Sequence, residues 1–227
     1  VSKPTRPQQD RAIRTRQKIL EAAGALFDEV GYADTTIADI TARSGVTKGA
    51  IYHHFEDKKS IGVAVIEAQL TEMAPIPPQE IATQQLVDAG YFLAYQLRKD
   101  PVQRGASSLA LEQGKVDFDR TRSTRMWIDF VTVILTAAQE KGELRAHVNV
   151  SDVSWNFVAA FAGIQHVSNA FDGRQQLTHR LKVLWELLLP SIVQRDVLVK
   201  VDLSMDRGER IAQQLLDQAD PAATPVA

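Results

Sequence analysis

The chain has 227 residues and a mass of 25.1 kDa, enough for one or two domains with a sizeable core. At 44% hydrophobic and 24% charged it is too apolar for a mostly disordered chain, and with no cysteine it excludes disulfides, thiol catalysis, cysteine-ligated zinc and iron–sulfur clusters. Net charge is −2, yet the first 20 residues hold Lys3, Arg6, Arg11, Arg14, Arg16 and Lys18 against Asp10 alone, a basic end on an acidic body that suits a polyanion contact.

No apolar signal-peptide core follows the basic N-terminus, and no apolar run approaches the roughly 20 residues of a membrane span. A cytoplasmic protein without a membrane partner is expected. Helical periodicity then runs through the chain. Ile19, Leu20, Ala23, Leu26, Phe27 and Val30 recur on one face of a first helix, and Gly31 supplies a stop. Arg11, Arg14 and Lys18 share the three-and-four spacing on another face. Thr36 with Asp39 matches a capping box and opens a short helix that ends at Ser44-Gly45. Thr47 caps a second short helix, from Lys48 to about Phe55. Asp57 caps the next, whose Ile61, Ala64, Val65 and Ala68 form an inward stripe.

The clearest break is Met73–Pro78, because proline lacks a backbone donor and restricts the residue before it. Beyond this joint the pattern predicts helices at 80–99, 101–113, 122–141, 151–172 and 175–195. Asp100-Pro101 forms a cap with proline in the first turn, and Gly114, Gly142 and Gly173 mark stops. An amphipathic piece at 204–217 precedes a disordered tail. No alternating strand pattern appears, so the fold class is all-α. The expected divisions are an arm and helix-turn-helix domain at 1–56, a helical ligand-binding and dimerisation domain at 57–217, and the tail at 218–227.

Thr36 to Phe55 reads as two short helices joined by a glycine turn, a helix-turn-helix, whose second helix enters the DNA major groove. Ile51 and Phe55 lie four apart and pack inward on Ile40 and Leu26, which leaves Lys48, Gly49, Tyr52 and His53 facing outward. Lys48 suits a phosphate or a guanine edge, Gly49 admits close backbone approach, and Tyr52 suits a thymine methyl or a phosphate. Thr47, at the helix start, brings a hydroxyl and free amides. A plain helical hairpin within a larger bundle accounts for the same spacing.

The segment TTIADITARSGVTKGAIYHHFEDKKSI resembles the N-terminal signature of the TetR family of repressors, and RTRQKILEAAGALFDEVGY resembles that family's first helix. RAIRTRQKIL, GVTKGAIYHHF, Trp127, FAGIQHVSNAF and VDLSMDRGERIA together are similar to its γ-butyrolactone autoregulator receptors. The resemblance implies a homodimeric repressor on a double-stranded, pseudo-palindromic operator, released by a small hydrophobic effector. It implies control of antibiotic or secondary metabolism as well. It places DNA contacts on Thr47, Lys48, Gly49, Ala50, Tyr52 and His53, with Lys58 on a phosphate and Arg11, Arg14 and Thr36 nearby. His53 departs from the aromatic of many relatives, either altering operator preference or changing local packing.

Effector-pocket candidates beyond the joint are Gln69, Phe92, Tyr95, Trp127, Phe130, Phe161, Gln165 and His166. The resemblance implies that Trp127 covers the ligand; by itself it reads as ordinary core, because buried tryptophan is common. His166 departs from an aliphatic residue and suits either a more polar or anionic signal or a satisfied core site. Some relatives answer to antibiotics or other ligands instead, and that alternative stands beside the butyrolactone one. Phe157, Val158, Phe161, Ile164, Leu181, Leu184, Leu188 and Ile192 are too many for one side of a surface helix. Phe157, Phe161, Ile164, Leu184 and Leu188 are therefore expected at a dimer contact, burial within one chain being the other reading.

Rival classes are weaker. His53, His54 and Asp57 look superficially like metal ligands and Glu112 with Asp117 like a carboxylate pair, but adjacent helical histidines point about 100° apart. There is no HExxH, glycine-rich phosphate loop or GxSxG. No enzyme, no cofactor and no metal are expected. A helical interaction module without DNA affinity is the other rival.

Overall fold

The computed structural model describes residues 6–71, 76–112, 119 and 121–219. Pro75, Gly114, Asp117 and the tail from 220 onward lie outside the described residues. Those described form α1 (Arg6–Glu29), α2 (Ile37–Ser44), α3 (Lys48–His54), α4 (Lys58–Thr71), α5 (Ala82–Lys99), α6 (Pro101–Leu111), α7 (Thr121–Glu140), α8 (Val150–Asp172), α9 (Leu177–Ile192), α10 (Arg195–Leu198) and α11 (Arg207–Ala219). The all-α reading holds, with a single bridge between Leu144 and Val193 in place of any strand among these residues.

The helix ends follow their local chemistry. The Thr36 hydroxyl accepts from the Asp39 amide at 3.2 Å and the Asp39 carboxylate accepts from the Thr36 amide at 2.9 Å, closing the box at the start of α2. Gly45 ends α2 in the left-handed region at φ 65, which a side chain would strain. Asp100 accepts from the Val102 amide at 2.7 Å, with Pro101 in the first turn of α6. Val30, expected on the inward stripe, is 51% exposed because α1 stops at Glu29 and the chain turns there. The short α10 was not predicted.

The chain divides into two compact units. One holds α1–α4, α6 and the stretch up to Ser123; the other holds α5 and the chain from Thr124 onward. The expected boundary at 56/57 thus falls inside a unit, because α4 and α6 pack on α1. In the first unit Ile19, Leu20, Ala23 and Phe27 of α1 meet Ile40, Ile51, Phe55, Ile61 and Val65, and α6 adds Val102, Ala106 and Leu109. Gly24 and Gly105 sit backbone to backbone where α1 crosses α6, so a Cβ on Gly105 would occupy the space of the Gly24 main chain. Asp28 of α1 accepts from Ser108 of α6 at 2.7 Å.

In the second unit α5 is the central helix, buried along nearly its whole length. Leu86, Ala94 and Leu97 join Val131 and Leu135 of α7 and Leu181 and Trp185 of α9, and the Phe157 ring of α8 stacks on Trp185 at 4.7 Å. The start of α5 is capped from afar: Glu143 accepts from the amides of Ala82 and Thr83, each at 2.8 Å. Its far face carries the C-terminal segment. Arg207 of α11 pairs with the fully buried Asp88 and, at 2.7 Å, with Asp202, while Tyr91 donates its hydroxyl to the Leu203 carbonyl at 3.0 Å. Burial, and then the charges of Glu186 and Asp202, push the Tyr91 phenol up to about 12, so it remains a donor.

Candidate DNA interface and ligand cavity

The recognition helix α3 is anchored by its inward side. Ile51 is fully buried, Phe55 nearly so, and both join the core that contains Ile40 and Leu26. Four apart on a helix, those anchors leave Lys48, Gly49, Tyr52 and His53 exposed, with Ala50 half-buried. The Lys48 ammonium lies 5.9 Å from the Tyr52 ring one turn on, so cation and aromatic form one outward patch. Thr47 caps α3 by accepting from the Ala50 amide at 3.3 Å. Thr36 is exposed, its hydroxyl engaged with Asp39 at 2.6 Å.

Arg11, Arg14 and Lys18 of α1 line a groove of about 620 Å³ together with Thr15, Ser44–Thr47 and Ala50. The groove joins the basic stripe to the turn of the helix-turn-helix. None of its three cations is in an ion pair with a described side chain, so their charge faces outward.

Lys58 is placed otherwise. Its ammonium donates to the carbonyls of Tyr32 at 2.8 Å, Ala33 at 3.2 Å and Thr35 at 2.8 Å, and sits 4.4 Å from the Tyr32 ring. All three of its donors are used in closing the turn between α1 and α2, rather than directed outward to a phosphate. His54, the last residue of α3, is half-buried. Desolvation first, then the charges of His53 and Arg16, hold its pKa below the ordinary 6.5.

Within the second unit, Phe92 of α5 and Trp127 and Phe130 of α7 line a cavity with Ile76, Ala89, Leu93 and Gln96. Trp127 meets Phe130 edge-on at 5.8 Å. The enclosed space is about 10 Å³, room for one water at most, so a ligand must part these walls. Three of the eight sequence candidates meet here. Tyr95 lies half-buried beside Gly208 of α11. Phe161 is in the core against Phe157, and Gln165 is buried, accepting from Arg174 at 3.3 Å. His166 is exposed on α8. Gln69 belongs to the other unit, where it accepts from Ser123 at 3.0 Å and donates to Ser107 at 3.4 Å. Ala89, Leu93 and Gln96 were missed, although they share the Phe92 face of α5 at three-and-four spacing.

The dimer candidates also separate. Phe157 and Phe161 are buried within the chain, against Trp185 and each other, and Ile164, Leu184 and Leu188 are half-buried against the same core. The outward apolar residues of α8 and α9 are Trp155, Val167, Phe171, Val183 and Leu187, with Phe171 87% and Leu187 73% exposed. No cluster of three metal-ligating side chains occurs among the described residues. Glu112 accepts from the Tyr32 amide at 3.4 Å. No described helix is long and apolar enough to cross a membrane.

Residues 19–65 match the model of the bacterial regulatory proteins of the tetR family, and residues 81–194 match the tetracyclin repressor-like C-terminal domain. The chain belongs to the TetR family. TetR-family proteins regulate transcription by binding DNA as homodimers and are not enzymes. The A-factor receptor protein of Streptomyces griseus is 33% identical over 209 residues, spanning 89% of this chain and 75% of that protein. The full-length TetR regulator TylP of Streptomyces fradiae superposes with a TM-score of 0.82 at 37% identity, over 90% of this chain and 99% of that one. A γ-butyrolactone receptor described as ArpA-like gives 0.70 at 25% identity, over 91% and 100%. The chain is thus a ligand-responsive TetR-family regulator related to γ-butyrolactone receptors.

Proposed function

We propose that the chain is a repressor that holds a pseudo-palindromic operator as a dimer and leaves it when a small hydrophobic, γ-butyrolactone-like signal opens the cavity beside Trp127. Antibiotic or other secondary metabolism is the process under its control. The reading is carried by the groove in which Arg11, Arg14 and Lys18 flank the helix-turn-helix, none of them in an ion pair with a described side chain. Lys48, Gly49, Tyr52 and His53 enter the major groove and read base edges, while the α1 cations meet phosphates on the flank. The aromatic-walled cavity of the second unit supports the ligand half of the proposal. Trp155, Phe171 and Leu187 supply the apolar surface through which two copies pair.

For release, the effector must favour the DNA-incompetent state; a hundredfold preference corresponds to about 2.7 kcal/mol. The test is a footprint of the purified protein on its own upstream DNA, with and without a medium-chain α-acyl-γ-butyrolactone. Two protected half-sites about one helical turn apart, roughly 34–36 Å, are expected, with protection lost as lactone is added. Trp127→Ala should keep the footprint and lose the release. Absence of any footprint overturns the repressor reading; release by an antibiotic but not by the lactone overturns the effector assignment.

A further inference from the structure

The walls of the cavity differ sharply in chemistry. Ile76, Ala89, Phe92 and Leu93 are wholly apolar, Phe130 adds an aromatic ring, and Trp127 contributes a ring whose only polar group is a donor. Among the described residues Gln96 is the one lining side chain with both a carbonyl acceptor and amide donors, and no charged side chain lines the space. Gln96 lies four residues after Phe92, so the amide and the aromatic ring share one face of α5. Its amide makes no hydrogen bond with any described residue and stays available to a ligand. The helix that carries it is held by Glu143 at its start and by the Arg207–Asp88 pair on its far side, so Gln96 is presented from a fixed element.

We infer that Gln96 is the polar anchor of the effector cavity and sets its ligand class: a neutral molecule with an apolar chain and a head that bears carbonyl or hydroxyl oxygens. This rests on the effector reading above and adds to it the residue that selects the head group. The chain packs between Phe92, Leu93, Trp127 and Phe130, and the head exchanges hydrogen bonds with the Gln96 amide. A carboxylate entering the same space loses its hydration and meets no cation among the described lining residues, which makes the cavity selective for neutral compounds. With His166 exposed on α8, no histidine among the described lining residues offsets that penalty.

The test uses the full chain, tryptophan fluorescence and two probes: a medium-chain α-acyl-γ-butyrolactone and decanoate. Gln96 is only partly buried, so its variants should fold, which circular dichroism checks. Wild type should bind the lactone and not decanoate. Gln96→Leu should bind the lactone about tenfold more weakly, the size of one lost hydrogen bond in an enclosed site. Gln96→Lys should gain decanoate binding by placing a cation at the head-group position. Unchanged lactone affinity in Gln96→Leu overturns the inference, as does wild-type binding of decanoate as tight as that of the lactone. If wild type binds neither probe, the lactone assignment fails, and Gln96 then stands or falls on whether Gln96→Lys acquires decanoate.

Discussion

Lys48 and Lys58 are ten residues apart, both cationic and both in the DNA-reading unit, yet their surroundings assign them different work. The Lys48 ammonium faces outward over Tyr52, whereas that of Lys58 is spent on three main-chain carbonyls. Lys48→Ala should therefore weaken operator binding and lower the slope of log affinity against log salt by up to about one unit, since the proposed interface loses one DNA-facing cation. Lys58→Ala should leave that slope unchanged and instead cost about 1–2 kcal/mol of stability, through the carbonyls left unpaired in the turn. Fluorescence-anisotropy titrations over a salt series, beside urea unfolding, separate the two effects. At His54 the folded pKa lies below 6.5, so the unfolded chain binds a proton more readily between those two values. Stability should rise with pH through that window and fall as the pH drops below 6.5. His54→Gln should flatten that part of the profile in urea midpoints measured across it.

Among elements, the C-terminal strap has the most specific chemistry. Arg207 neutralises an Asp88 carboxylate with no exposed surface, and Gln84 donates to the same carboxylate at 2.8 Å. Arg207→Ala leaves that charge buried and unpaired, a change that costs about 3 kcal/mol or more. Limited proteolysis should then cut within 203–219 well before the rest of the chain, while wild type resists there. The Ser204 hydroxyl and amide, with Arg207 and Arg210, hold the Asp202 carboxyl well below its usual range. A carboxylate with a depressed pKa contributes stability above its ordinary 3.8 and loses it as pH falls further, so acid loosens the strap in the same way.

At the scale of the whole molecule, the exposed apolar residues of α8 and α9 make a single chain an incomplete account of the protein. Phe171 and Leu187 are too exposed to stabilise the monomer, and Ala159 and Gly163 are small enough for helices of a second copy to approach closely. Leu187→Glu should give a folded monomer in sedimentation velocity, because its side chain lies outside the core. Leu188→Glu should unfold the chain instead, because Leu188 packs against that core. A dimeric Leu187→Glu protein would show that pairing uses another surface.

The all-α class, the helix-turn-helix with its two faces and the family are legible in the residues alone. Those follow from local rules: caps at Thr36 and Thr47, glycine at the turn, and anchors four apart at Ile51 and Phe55, with a motif that recurs in relatives. Phe92, Trp127 and Phe130 were legible as aromatics on long helices, but not as one cavity, since nothing local tells which helix faces meet. That Lys58 turns onto carbonyls near residue 33, that Phe157 and Phe161 belong to the chain's own core, and that Gln96 rather than Gln165 or His166 meets the cavity emerge from the packing of the helices and not from the residue pattern. Each depends on contacts between residues distant in the chain, and helical spacing can give a side chain's direction but not the neighbour it points toward.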